Sequence, residues 1–291
     1  MDLQLAGKRA LVTGGSRGIG KGVARQLALE GATCAICSRH QTDIERAAAD
    51  LTAETGSPCL PFVADMIDLA SIEGLVEQSV ESLGGIDILV CCAARVSGGR
   101  PDDFAHVTDE LIMNDFQEKY LGYFRCVRAV VPHMRRAGWG RIVMVSGLAA
   151  RQAGNISAGA RNASVVNLAK ALSAEFGQSG ITVNVVHPAG TMTERFQERM
   201  AAEAKAQGIS QEEALRRASA RNAIGRPVTV QEIADVVAFL ASPRSAAVSG
   251  EAISASPAEP GRERSKPTQL ANKPPPAWTS YRRRRSRISS S

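Results

Sequence analysis

The chain reads as a doubly wound, parallel α/β sheet, and three observations predict it. Short apolar runs of strand length alternate with segments of helical periodicity for most of the sequence. The runs are continuously apolar rather than alternating, as strands covered on both faces are. A glycine-rich turn, Thr13-Gly14-Gly15-Ser16-Arg17-Gly18-Ile19-Gly20, joins the first run to the first helical segment. Right-handed crossovers between such strands put ligands at their carboxyl ends.

Taken in order, the first strand covers residues 9–13, where Leu11 and Val12 precede the glycines. The helix near 18–30 carries Val23, Leu27 and Leu29 on an amphipathic pattern. Strands follow at 33–37, 60–64, 86–92, 141–146 and 182–187. Helices lie between and after them, near 42–55, 69–83, 109–136, 156–178 and 230–241. Residues 194–225, rich in Glu, Ala and Arg, interrupt the alternation. An insertion there suits a lid over the substrate, and a solvated pair of surface helices fits it equally.

Beyond Ser254 the pattern collapses. Residues 255–291 hold six of the 13 prolines, the run Pro274-Pro275-Pro276 and the run Arg282-Arg283-Arg284-Arg285. One domain over 1–254 with a disordered basic tail over 255–291 is the expected organisation. That tail has seven Arg and two Lys against two Glu, so the rest of the chain carries −1 of the total +6. A near-neutral domain without a basic face gives no reason to expect nucleic acid as a partner.

No apolar run approaches the roughly 18 residues of a membrane span, and Asp2 and Gln4 do not open a signal peptide. The six cysteines show neither zinc spacing nor a secreted disulfide framework, so no metal and a reducing cytoplasm are expected. Cys91-Cys92 reads as small buried hydrophobes, and His133 and His187 have ordinary helix and strand contexts.

The glycine turn carries the first functional inference. A strand, a glycine turn and a helix N-terminus present outward backbone N–H groups at the positive end of a helix dipole, and glycine lets a pyrophosphate approach. A dinucleotide is the expected ligand. Further landmarks follow in order: Asp65 after the third strand, Gly85-Ile86-Asp87-Ile88-Leu89-Val90, Gly140-Arg141-Ile142-Val143, Gly180-Ile181-Thr182-Val183-Asn184 leading to Pro188 and Thr193, and Gly225-Arg226-Pro227. Across roughly residues 5–254 these make the chain resemble the short-chain dehydrogenase/reductase family, whose fold is a Rossmann-type sheet.

That resemblance implies a cofactor site built from Gly14, Ser16, Arg17, Gly18, Ile19, Gly20, Ser38, Arg39, Asp65, Met66, Cys92, Ala93, Pro188, Thr191 and Thr193. NAD-binding relatives generally carry an acidic residue at the end of the second strand to hold the adenosine ribose. Here that strand ends in Ser38-Arg39, and Arg17 sits in the glycine turn. Guanidinium groups suit a 2′-phosphate, so NADP(H) is preferred over NAD(H), the alternative being a solvated Arg39 at a strand end.

The family's catalytic Tyr precedes a Lys by four residues on the helix after the fifth strand. Anchored on Leu168-Ala169-Lys170-Ala171-Leu172, those positions are Ala158 and Asn162, and with only Tyr120, Tyr123 and Tyr281 no register restores the pair. The family's helix Asn falls on Lys119, and its Ser on Ser146 or Gly147. Candidate catalytic groups are therefore Ser146, Asn162, Arg161 as an oxyanion stabiliser, and Lys119 with Tyr123, which share one helical face at a spacing of four. For Tyr123, interface or core packing is the more ordinary role.

The resemblance thus implies an NADP(H)-dependent oxidoreductase interconverting a carbonyl and an alcohol on a small molecule, with atypical active-site residues. The alternative is a catalytically silent nucleotide-binding or regulatory subunit on the same fold. A homodimer or homotetramer is implied by the family, not by the residues themselves.

Overall fold

The computed structural model describes residues 1–94, 104–152, 155–219, 222 and 224–255. The tail expected over 255–291 therefore lies, from residue 256 on, outside the described residues.

The glycine turn stands where the pattern places it, between β1 (Arg9–Thr13) and α1 (Gly18–Leu29). Then come β2 (Thr33–Ser38), α2 (Gln41–Thr55), β3 (Cys59–Val63), α3 (Leu69–Leu83) and β4 (Ile88–Cys91). After β4 the described chain continues through α4 (Asp109–Asp115), α5 (Gly122–Ala137), β5 (Gly140–Val145), α6 (Ile156–Phe176) and β6 (Ile181–Pro188). It ends through β7 (Thr191–Met192), α7 (Glu194–Gln207), α8 (Gln211–Ser219), β8 (Val228–Thr229), α9 (Val230–Ala241) and β9 (Ala252–Ala255).

Seven strands form one sheet in the order β3-β2-β1-β4-β5-β6-β9, every pair parallel. The order reverses between β1 and β4, which opens a crevice at their carboxyl ends. Successive residues of β1 feed opposite faces: Ala10 and Val12 join Val23, Leu27, Ile44 and Val237 on one side, and Leu11 joins Ile72, Val130 and Val165 on the other. Each fully buried Leu or Ile contributes about 1.5–3 kcal/mol relative to exposure. The crevice is pinned from below, because Thr13 Oγ1 accepts from the backbone N–H of both Cys92 and Ala93 at 3.1 Å.

Three expectations need correction. The single helix expected near 109–136 is broken: a π-helical segment, Phe116–Leu121, separates α4 from α5. A wider turn keeps Asp115, Lys119 and Tyr123 all pointed at α6 and β5, and one-residue bulges of this kind leave no trace in apolar periodicity. Ala255 belongs to the last strand, not to the tail, because β9 pairs with the end of β6 through Pro188↔Ala255. Strand ends elsewhere move by one or two residues, as for β4, which is shorter than 86–92. Residues 194–219 form a helix pair, α7 and α8, packed on each other.

Candidate active site

At the reversal of strand order lies a cavity of about 550 Å³. One wall is the glycine turn, with Gly14, Ser16, Arg17, Gly18, Ile19 and Gly20. Helix α1 begins there without a side-chain cap on its N-terminus and without an acidic residue in its first turn, so its leading N–H groups are left for a ligand. Gly14 has φ +71°, and a Cβ there would sit 2.9 Å from Ala93 backbone atoms, so only glycine lets the turn lie against the β4 exit.

Ser38 and Arg39 form the far end, with Cys37, His40 and Asp43 beside them; Arg17 and Arg39 are exposed. Asp43 brings a carboxylate that reading the β2 end alone missed, and Arg46 Nη2 holds it at 3.0 Å. Ala64, Asp65 and Met66, after β3, and Cys92, Ala93 and Ala94, after β4, also line the cavity, as do Thr193, Glu194, Arg195 and Glu118. Pro188 and Thr191 are not among the lining residues. The donor set therefore fits a dinucleotide: uncapped N–H groups for a pyrophosphate, with the guanidiniums of Arg17 and Arg39 in the lining.

None of Ser146, Lys119, Asn162, Arg161 and Tyr123 lines that cavity; they form a buried cluster adjoining it through Glu118 and Cys92. Lys119, on the π segment, is 5% exposed. Its Nζ donates to the Ser146 carbonyl and to Asn162 Oδ1, both at 2.9 Å. Burial, then the Arg161 charge, push its pKa down to about 7, against weaker support from Cys92 and Asp115. Ser146 Oγ donates to the Asn162 backbone carbonyl at 3.0 Å.

Asp115, which the sequence reading passed over, accepts from Arg161 Nη1 at 2.7 Å and from Ser157 Oγ at 2.6 Å. Ser157 and Arg161 stand four apart on α6, and that shared face was the available signal. Ser157 is itself fully buried.

Tyr123 is 0% exposed and its hydroxyl donates to the Val145 carbonyl at 2.9 Å. Burial raises its pKa well above the ordinary phenol value. As placed, the phenol packs the core and its proton is committed to the backbone. Tyr123→Phe is expected to cost about 1 kcal/mol of stability and to change turnover less than threefold, measured by denaturant melts and initial rates.

Cys91 is buried within the sheet and Cys92 is pushed up to about 12, chiefly by burial, so neither is a reactive thiolate. His187, at the end of β6, is fully buried, with both ring nitrogens lacking a hydrogen-bond partner among the described residues. Burial and the Arg151 charge hold its pKa low. His133 lies on exposed α5 surface against Arg136.

A family model described as Enoyl-(Acyl carrier protein) reductase matches residues 14–256. A Streptomyces coelicolor protein bearing a provisional ketoacyl reductase name is 35% identical over 249 residues, 84% of this chain and 94% of that protein. Hydroxynaphthalene reductase arp2 of Aspergillus fumigatus is 31% identical over 265 residues, 88% of this chain and 93% of that one. Among solved structures, L-sorbose reductase of Gluconobacter frateurii, complexed with NADPH and L-sorbose, superposes with a TM-score of 0.83 at 26% identity, covering 87% of this chain and 97% of that one. A variant of actinorhodin polyketide ketoreductase with NADPH gives a TM-score of 0.77 at 33% identity, over 85% and 95% of the two chains.

Proposed function

The chain belongs to the short-chain dehydrogenase/reductase family, and from that premise we propose that it is an NADP(H)-dependent reductase of a small carbonyl compound in which Lys119 takes the place of the missing tyrosine acid. The observation that carries this reading is the Lys119 amine held between the Ser146 carbonyl and Asn162 Oδ1.

Bound NADPH would supply the hydride. The N–H groups at the start of α1 would hold its pyrophosphate, and Arg17 and Arg39 its 2′-phosphate. Asp43 is matched by Arg46 and so opposes that phosphate weakly. On the substrate side, the carbonyl oxygen gains charge and needs a proton. The Lys119 Nζ carries one at neutral pH and below, and a pKa near 7 suits proton transfer. Once neutral, the amine has two N–H donors for its two acceptors, and its lone pair is left to recover a proton. In relatives of the resembled pattern an amide stands on the earlier helix and an ammonium on the later one; Lys119 and Asn162 exchange those roles. The Ser146 hydroxyl, 3.0 Å from the Asn162 carbonyl, is the second group able to turn toward the substrate.

We assign the α7–α8 pair as the cover of the substrate end, because Glu194 and Arg195 at its start line the cavity. A small ketone is the substrate class, with ketoacyl and aromatic polyketide ketones the first to try, since the named relatives reduce or bear names for such compounds. No helix among the described residues is long and apolar enough to cross a membrane.

Fluorescence titration with NADPH and NADH tests the cofactor. NADPH is expected to bind more tightly, and Arg39→Ala to weaken it roughly 10- to 100-fold while NADH changes little. Equal affinity for the two would overturn the NADP(H) assignment. Tight NADPH binding with no turnover across a ketone panel would favour the silent nucleotide-binding reading, to which the cluster's position behind the cavity wall gives some support.

A further inference from the structure

The buried cluster holds two potential cations around one hydrogen-bonded carboxylate. Arg161 and Asp115 have side chains only 5% and 9% exposed, and the guanidinium cannot shed its charge. Lys119 stands four residues beyond Asp115 and is bonded only to neutral acceptors. A second cation beside a buried first one is costly unless the first is neutralised in place.

We propose that Asp115 is a positioning residue for Lys119: by binding Arg161 Nη1 and Ser157 Oγ together, it compensates the permanent cation and lets the amine beside it carry a proton. This rests on reading Lys119 as the proton carrier.

The groups facing Lys119 come from every element around it. Arg161 lies on α6, Asp115 on α4, Cys92 after β4, Tyr123 on α5 and His187 on β6; Glu118 is its neighbour in the chain. Cys92 and Tyr123 stay protonated to high pH, and His187 stays neutral at neutral pH. Asp115 and Arg161 form the ion pair within the cluster, and they act on Lys119 with opposite sign.

The test is a side-chain NMR titration of Lys119, following its ¹³Cε resonance in the full chain, with kcat measured over the same pH range. Removing the carboxylate in Asp115→Asn should lower the Lys119 midpoint by about one unit. Removing the cation in Arg161→Gln should raise it by more than that, and the double variant should lie between the Arg161→Gln value and the parent. The acidic form's share of kcat should follow each shift. Opposite shifts would not arise from a merely structural role.

Asp115→Asn breaks the buried ion pair and risks misfolding, whereas Arg161→Gln removes the buried cation and carries the test by itself. If Lys119 titrates near neutral in the parent but does not move in Arg161→Gln, the assignment of Asp115 is overturned. If Lys119 stays charged beyond pH 9 in the parent, the functional reading fails instead.

Discussion

Lys119→Met is expected to lower ketone reduction by roughly 100- to 10,000-fold, the usual contribution of a positioned general acid. NADPH affinity stays within a few-fold, because Lys119 does not line the nucleotide cavity. On this reading the parent should reduce best where the amine is protonated, so activity should fall as pH rises through about 7, and the reverse oxidation should rise over the same range. The variant's residual rate lacks that limb. Stability gives an independent readout. The folded-state pKa is depressed from 10.5 to about 7, so between those values the unfolded chain binds more protons. Parent stability, measured against Lys119→Met, therefore rises with pH, by about 2 kcal/mol from pH 7 to pH 9. Turnover within tenfold of the parent in Lys119→Met would dismiss it as the acid.

The second large effect is at Gly20. A Cβ there would lie 2.1 Å from the Gly14 carbonyl oxygen and 2.8 Å from the carbonyl carbon. Both are backbone atoms, so no side-chain rotation relieves the overlap and the glycine turn must open. Gly20→Ala is expected to destabilise the domain by about 3 kcal/mol. NADPH binding should fall more than about 100-fold, since the N–H groups at the start of α1 lose their common aim. Gly177→Ala is the control, because a Cβ there meets nothing within 4 Å. Denaturant melts and nicotinamide fluorescence measure both; a Gly20→Ala protein that binds NADPH like the parent would show that the turn is not the phosphate cradle.

The sequence by itself determined the sheet and the place of its ligand crevice. Continuous apolar runs can only be buried on both faces, and parallel connections send every loop after a strand to the same edge. Residues at or adjoining strand ends were legible for that reason: Gly14, Ser16, Arg17, Gly18, Ile19 and Gly20 after β1, Ser38 and Arg39 at the end of β2, and Asp65 after β3 all reach the cavity. Asp43 was not, because it enters from the first turn of α2 rather than from the strand end.

What only the tertiary structure decided is the buried cluster. Asp115, Ser157 and Arg161 are polar residues on helices, which in sequence look like solvated faces. Packing of the α4 end against α6 buries them and turns them into one network. The spacing of Lys119 and Tyr123 suggested a working pair, but β5 passes close enough for the Val145 carbonyl to accept the phenol's hydrogen bond. The contact of Lys119 with Asn162 joins residues 43 apart across two helices, and it depends on a π segment that apolar periodicity does not register. Local pattern fixes which face of an element is buried; which polar groups meet inside is set by the elements' approach to one another.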